Sequence, residues 1–185
     1  MVNDRIDKPL FPIMPVRLRR GFALLLLIVG APLHAIGTYQ APEDYIREVF
    51  AGKPPAPKLL WLTPAIQTDV VRILGHEYAQ RRVRYWRENA RSAWILEEIG
   101  KEEPITTGFV IEGGRIEQTK VLIYRESRGD EVRYPRFTRQ FKDARLTADK
   151  GLDRTIDVIS GATMSVSALT RLARLALYLH SQTEP

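Results

Sequence analysis

Asp157-Val-Ile-Ser-Gly-Ala-Thr163 and the run Met-Ser-Val-Ser-Ala-Leu-Thr-Arg-Leu-Ala-Arg-Leu-Ala-Leu-Tyr-Leu179 behind it decide how this chain is built. Val166, Leu169, Leu172, Ala173, Ala176 and Leu179 recur at helical spacing, which predicts a helix from Met164 to about Leu179. It carries one apolar stripe and places Arg171 and Arg174 outside it. Ser160, Gly161, Ala162 and Thr163 are small enough for the backbone to turn sharply and to come close to a ligand. A helix start offers unbonded N–H groups and a partial positive charge, so this corner suits a phosphate. The plainer reading is that Ser160 or Thr163 only caps the helix.

Upstream of that corner the period changes to two. Val83, Tyr85 and Trp86 predict a strand beginning near Arg81, Asn89–Ser92 a turn, and Ala93–Ile99 the returning strand. Thr107–Ile111 is a third strand, and Gly113-Gly114 turns tightly into a fourth, Arg115–Tyr124. Ile156 and Val158 predict a last short strand running into the small-residue corner. Earlier still, Pro42 with Glu43 and Asp44 opens a short helix to about Phe50. Lys53–Pro57 is an extended connector. Thr63 as N-cap and Pro64 at the first helical position open a helix that ends near Leu74 against Gly75. The implied class is α+β: a small antiparallel sheet with N-terminal helices and a C-terminal helix packed on it.

The chain of 185 residues has no cysteine, which excludes disulfides, thiol redox chemistry and Cys-ligated clusters. His34, His76 and His180 lie far apart without metal-ligand spacing. The net charge is +6, but residues 1–35 hold five basic and two acidic side chains; the remainder carries 23 against 20, a net of +3. So small an excess is poor support for nucleic-acid binding. Arg81, Arg82, Arg84 and Arg87 read as a solvated strand face with stems over aromatics.

Arg17, Arg19 and Arg20 precede an apolar run from Gly21 to Leu33, short for a span of about 20 residues but suited to a signal-peptide core. Leu33-His34-Ala35 offers a cleavage site; the alternative is an uncleaved anchor. Either way the remainder is expected outside the cytoplasm, in the periplasm or on the extracytoplasmic face of the inner membrane. The chain then divides into a leader, 1–35, the N-terminal part of the exported domain, 36–102, a core, 103–181, and a tail, 182–185.

The string from Asp157 to Thr163 resembles the flavinylation motif D-x-x-S/T-G-A-T of the FMN-binding domain family. That family includes the subunit of the sodium-pumping NADH:quinone oxidoreductase whose motif threonine carries FMN, and its Rnf-complex counterpart. At average residue usage the last four positions arise by chance in about one chain of this length in a hundred. Arg125-Glu126-Ser127-Arg128-Gly129 is similar to the family's H-E-T-P-G segment, keeping the acid, a hydroxyl and the glycine but lacking the His and Pro. Phe137-Thr-Arg-Gln-Phe141-Lys142 resembles its Q-F-K/x-G helix, with Asp143 where the glycine usually stands.

The resemblance implies FMN bound covalently through a phosphoester to Thr163, installed by a flavin transferase that uses FAD and magnesium. Ser160, Gly161 and Ala162 would surround the phosphate. Asp157 would bind the transferase's metal, orient Thr163, or bond N–H groups of the turn. Glu126, Ser127, Phe141 and Lys142 are candidates for the ring's surroundings. With no G-x-G-x-x-G there is no nicotinamide site, so the expected role is electron relay with a membrane electron-transfer partner, not stand-alone catalysis. The alternative is a non-redox, ligand-holding sensory module linked to a membrane partner.

Overall fold

Five of the six strands in the described sheet are successive, each turning back on the one before. The computed structural model describes residues 37–183; the expected leader lies outside them. In chain order the elements are β1 (Gly37–Thr38), α1 (Pro42–Val49), β2 (Lys58–Trp61), α2 (Pro64–Leu74), β3 (Arg82–Glu88) and β4 (Arg91–Ile99). They continue with β5 (Pro104–Glu112), β6 (Arg115–Tyr124), α3 (Pro135–Thr138) and α4 (Thr163–Ser181). Single 3-10 turns cover Asp130–Arg133 and Arg139–Phe141. The strands order as β1-β6-β5-β4-β3-β2, all antiparallel, so the fold is α+β. Among the described residues no helix is long and apolar enough to cross a membrane.

Local chemistry sets several boundaries. Thr63 Oγ1 accepts from the Ile66 N–H at 3.4 Å, Pro64 occupies the first turn of α2, and Gly75 ends it at φ 83°. Asn89-Ala90 alone turns β3 into β4, with Asn89 at φ 53°, so the returning strand starts at Arg91.

α4 and α2 cover one face of the sheet, burying Val83, Tyr85, Trp94, Leu96, Phe109 and Ile111; the Tyr85 and Trp94 rings stack at 4.9 Å. α1 covers part of the other face with Tyr45, Ile46 and Val49 against Ala93, Val110 and Leu122. Every residue of α4 from Leu175 to His180 is buried, more than a single stripe provides, because α2 packs on the side that the sheet leaves open. Truncating Leu169 or Leu172, both fully buried, to Ala would cost about 2–5 kcal/mol.

The expected strand at Ile156 and Val158 does not form. Residues 155–159 are irregular and pair with no strand among the described residues; the Asp157 N–H donates instead to Gln140 Oε1 at 2.8 Å. Alternation alone makes no strand without a partner edge. Two strands that the periodicity did not predict are present: β1, and β2 behind the proline-rich connector.

β6 has two register shifts against β5. Partners step from Thr106↔Ile123 to Thr107↔Val121, and from Val110↔Gln118 to Ile111↔Ile116, so β6 carries two extra residues. The shifts bring Ile116, Val121 and Tyr124 to the face under α4, which strict alternation would not do.

Candidate functional site

The end of β6 and the start of α4 meet at one corner. Tyr124, the last residue of β6, is buried, and its hydroxyl donates to the Arg128 carbonyl at 2.5 Å and lies 2.8 Å from Ser165 Oγ in the first turn of α4. Burial pushes the Tyr124 hydroxyl up to about 12, a rise opposed by the Ser165 hydrogen bond, so it stays a neutral donor. One phenol thus ties the 125–129 loop to the helix start. Gly129 completes the joint at φ 87°: a Cβ there would stand 2.9 Å from the Tyr124 hydroxyl and 3.2 Å from Ala162 Cβ. Both backbone and space demand glycine.

The small-residue corner turns through Gly161, at φ 84°, and Ala162 occupies the cap position with no side-chain hydrogen bond. The Val166 N–H bonds the Ala162 carbonyl at 2.9 Å. Among the described residues the N–H groups of Thr163, Met164 and Ser165 have no partner, and neither does the exposed hydroxyl of Thr163 or of Ser160. The capping alternative is therefore not what these hydroxyls do. A 19-residue helix presents its positive end here.

Thr163 borders two clefts. The first, about 470 Å³, is lined by Lys101, Glu102, Glu126, Ser127, Arg128 and the corner from Gly161 to Ser165. The second, about 610 Å³, is bordered by Arg154, Ile156, Val158, Val166, Arg171 and Arg174, among others. Two large apolar side chains stand exposed beside Thr163: Met164 at 50 % and Val158 at 63 %.

Glu126, Ser127, Gly161, Ala162 and Thr163 are thus brought together. Glu126 spends one oxygen on the β4–β5 turn, accepting from the N–H groups of Lys101, Glu102 (2.7 Å) and Glu103 (3.0 Å). Burial works to raise its carboxyl, and these three donors outweigh it, holding the group below its ordinary value. It is a stable anion that fixes the turn carrying Lys101.

Asp157 is exposed one strand-length before the corner, and its carboxylate has no partner among the described residues, the turn's own N–H groups included. Phe141 is fully buried, packed edge-on against Phe137 at 5.7 Å, and forms core instead of a cleft wall. Lys142 lines a different cavity, beside β6. Asp143, in the place of a family glycine, adopts φ 63°. The position itself demands the left-handed region, and Asp tolerates it better than most residues.

Sequence reasoning missed Lys101, Arg128, Tyr124, Ser165 and Met164. Only Arg128 and Met164, within or beside the motifs, carried any local signal. Of the arginine cluster, Arg87 turns inward and donates to the Thr183 carbonyl at 2.5 Å, while Arg82 lies over the Trp61 ring at 5.5 Å.

A model of the FMN-binding domain family matches residues 100–178, from the β4–β5 turn to near the end of α4. No curated protein and no solved structure matches the chain.

Proposed function

We propose that this chain, a flavin-binding protein whose residues 100–178 belong to the FMN-binding domain family, carries its FMN covalently on Thr163 and relays electrons between membrane and extracytoplasmic redox partners. The observation that supports attachment most directly is the Thr163 hydroxyl itself: exposed, unbonded, and set on the first turn of α4 between two clefts. The residues present fit the group. Three unpartnered N–H groups and the helix dipole favour a phosphate, Arg128 adds positive charge while Lys101 is paired with Glu102 at 3.1 Å, and Met164 and Val158 offer apolar surface to a flat ring.

When bound, FMN supplies reversible electron transfer, and the protein supplies position and electrostatics. In maturation the Thr163 hydroxyl would take the FMN phosphoryl group from FAD: a P–O bond forms at Thr163 Oγ, the pyrophosphate bond of FAD breaks, AMP leaves, and the hydroxyl gives up its proton. A flavin transferase brings FAD and magnesium. The free, exposed carboxylate of Asp157 would engage that metal, and Gly161, at φ 84°, bends the backbone ahead of Thr163. Tyr124 and Ser165 tie the helix start to the 125–129 loop, next to the attachment point.

The relay reading follows from the absence of cysteine and of a dinucleotide motif in the sequence, together with the arginine-flanked apolar run at 17–33. Co-expression with a flavin transferase should add the mass of one FMN less one water. Fluorescence should survive denaturing electrophoresis, and Thr163→Ala should abolish both. Labelling that persists in that variant sinks the attachment. The holo-protein should bleach with dithionite, recover in air and oxidise little NADH alone; efficient NADH turnover by the isolated chain would sink the relay.

A further inference from the structure

A cavity of about 420 Å³ lies on the outer edge of β6, away from Thr163, and shares no lining residue with either cleft there. It exists because β6 is closed only at its two ends. The Asp143 N–H bonds the Ile116 carbonyl at 2.7 Å and the Ile116 N–H bonds the Ala144 carbonyl at 3.0 Å; at the far end the Tyr39 N–H reaches the Leu122 carbonyl at 2.8 Å. Between these closures the stretch from Glu117 to Val121 borders the cavity, with Pro135, Thr138, Arg139 and Lys142 opposite.

Two features of its wall ask for a ligand: cations without carboxylate partners, and apolar surface beside them. Four cations line the cavity. Lys120 is held by Glu48 at 3.1 Å and Arg133 by Asp130 at 2.9 Å, whereas Arg139 and Lys142 have no carboxylate partner among the described residues. The single lining acid, Glu117, is committed to Arg91 at 2.7 Å. Gln118 and Thr138 are neutral polar members of the wall, and its apolar part is Val121, Pro135 and the Tyr39 ring, which Arg133 locks from one side at 4.5 Å.

We infer that this cavity is a second binding site, for a small amphiphilic organic anion, a carboxylate or phosphate carrying an apolar body. The body lies against Val121, Tyr39 and Pro135, and the charge meets Arg139 and Lys142. A volume of this size is that of ordinary small-molecule sites, which pair apolar walls with a few polar anchors. Guanidinium suits either head group.

Titration calorimetry on the full flavin-bearing chain with octanoate, octyl phosphate and octanol tests the site, because the three share one tail. At least one anion should bind one per chain and at least tenfold tighter than octanol, and the stronger of the two identifies the head. Arg139→Ala with Lys142→Ala should weaken it at least tenfold. Thr163→Ala should bind as the parent does, which separates this site from the flavin reading. Octanol binding as tightly as both anions, no saturable binding of either anion, or unchanged affinity in the Arg139→Ala, Lys142→Ala double variant would each overturn the inference.

Discussion

The two ends of α4 treat polar groups in opposite ways. At its C-terminal end every buried polar atom has found a partner. His180 Nδ1 lies 2.7 Å from Ser92 Oγ, which also accepts from the Trp94 indole N–H at 2.8 Å. Arg87 donates to the Thr183 carbonyl and hydroxyl, and that hydroxyl bonds the His180 carbonyl at 2.8 Å. At the N-terminal end three N–H groups and the Thr163 hydroxyl stand open. A satisfied network holds a fold together; an exposed, unsatisfied one is available to a ligand. The same helix is anchored at one end and offered at the other.

The sharpest way to break that contrast is to change one hydroxyl at each end. Thr163→Val should remove flavin labelling completely and leave the melting temperature within a few degrees, since the hydroxyl bonds nothing. Ser92→Ala should keep the labelling and cost about 1–3 kcal/mol, because it orphans both His180 and the Trp94 indole. Intact mass and thermal melts read both. Loss of labelling in the Ser92 variant would show that the ends are not independent.

The anchored end also predicts a pH dependence. Burial, helped by the nearby Arg87 charge, pushes the His180 ring down to about 4, so the fold holds it neutral. The unfolded chain takes up that proton near pH 6.5, so stability is complete above this value and is lost as pH falls towards 4, by up to about 3 kcal/mol. His76 works the other way. Its hydrogen bond to Glu98 raises its titration, so its smaller contribution is present at low pH and fades as pH rises above 6.5. Denaturant melts between pH 6.5 and 4.5 should show the His180 slope, and His180→Asn should flatten it. A slope that survives in the variant assigns it elsewhere.

At the offered end, Gly129→Ala should cost about 1–3 kcal/mol, from a left-handed backbone and a Cβ set against Tyr124. Because it displaces the loop from the helix start, it should also reduce labelling, unlike any change near His180. The smallest effect is expected at Asp143. Asp143→Gly relieves a left-handed residue while freeing the unfolded chain, so stability should move by less than about 1 kcal/mol in either direction.

Much of the molecule was legible before any coordinates because the signals were local. Thr63, Pro64 and Gly75 bound α2 through contacts spanning a few residues, and Gly113-Gly114 turns β5 into β6 wherever it occurs. The string from Asp157 to Thr163 sits in the geometry that its small residues allow, a left-handed glycine followed at once by a helix.

What stayed hidden needed partners distant in sequence. Lys58–Trp61, which shows no alternation, is a strand because Arg82–Tyr85 lies beside it, while Ile156 and Val158, which alternate about Asp157, pair with no strand. The two extra residues of β6 cannot be counted without β5 for comparison, yet they decide that Val121 shares the face of Ile116 and Tyr124. Phe141 could have been cleft or core; only the packing around Phe137 and α4 settles it as core. Lys101 reaches the Thr163 cleft across some sixty positions of chain, by way of a carboxylate on the 125–129 loop. Residue identity by itself determined where the backbone turns, where α4 starts and which hydroxyl heads it, since those depend on sterics and hydrogen bonds within one turn. Tertiary structure alone decided strand partners, register, burial and the walls of the site, because each is a contact whose energy exists only when both sides are present.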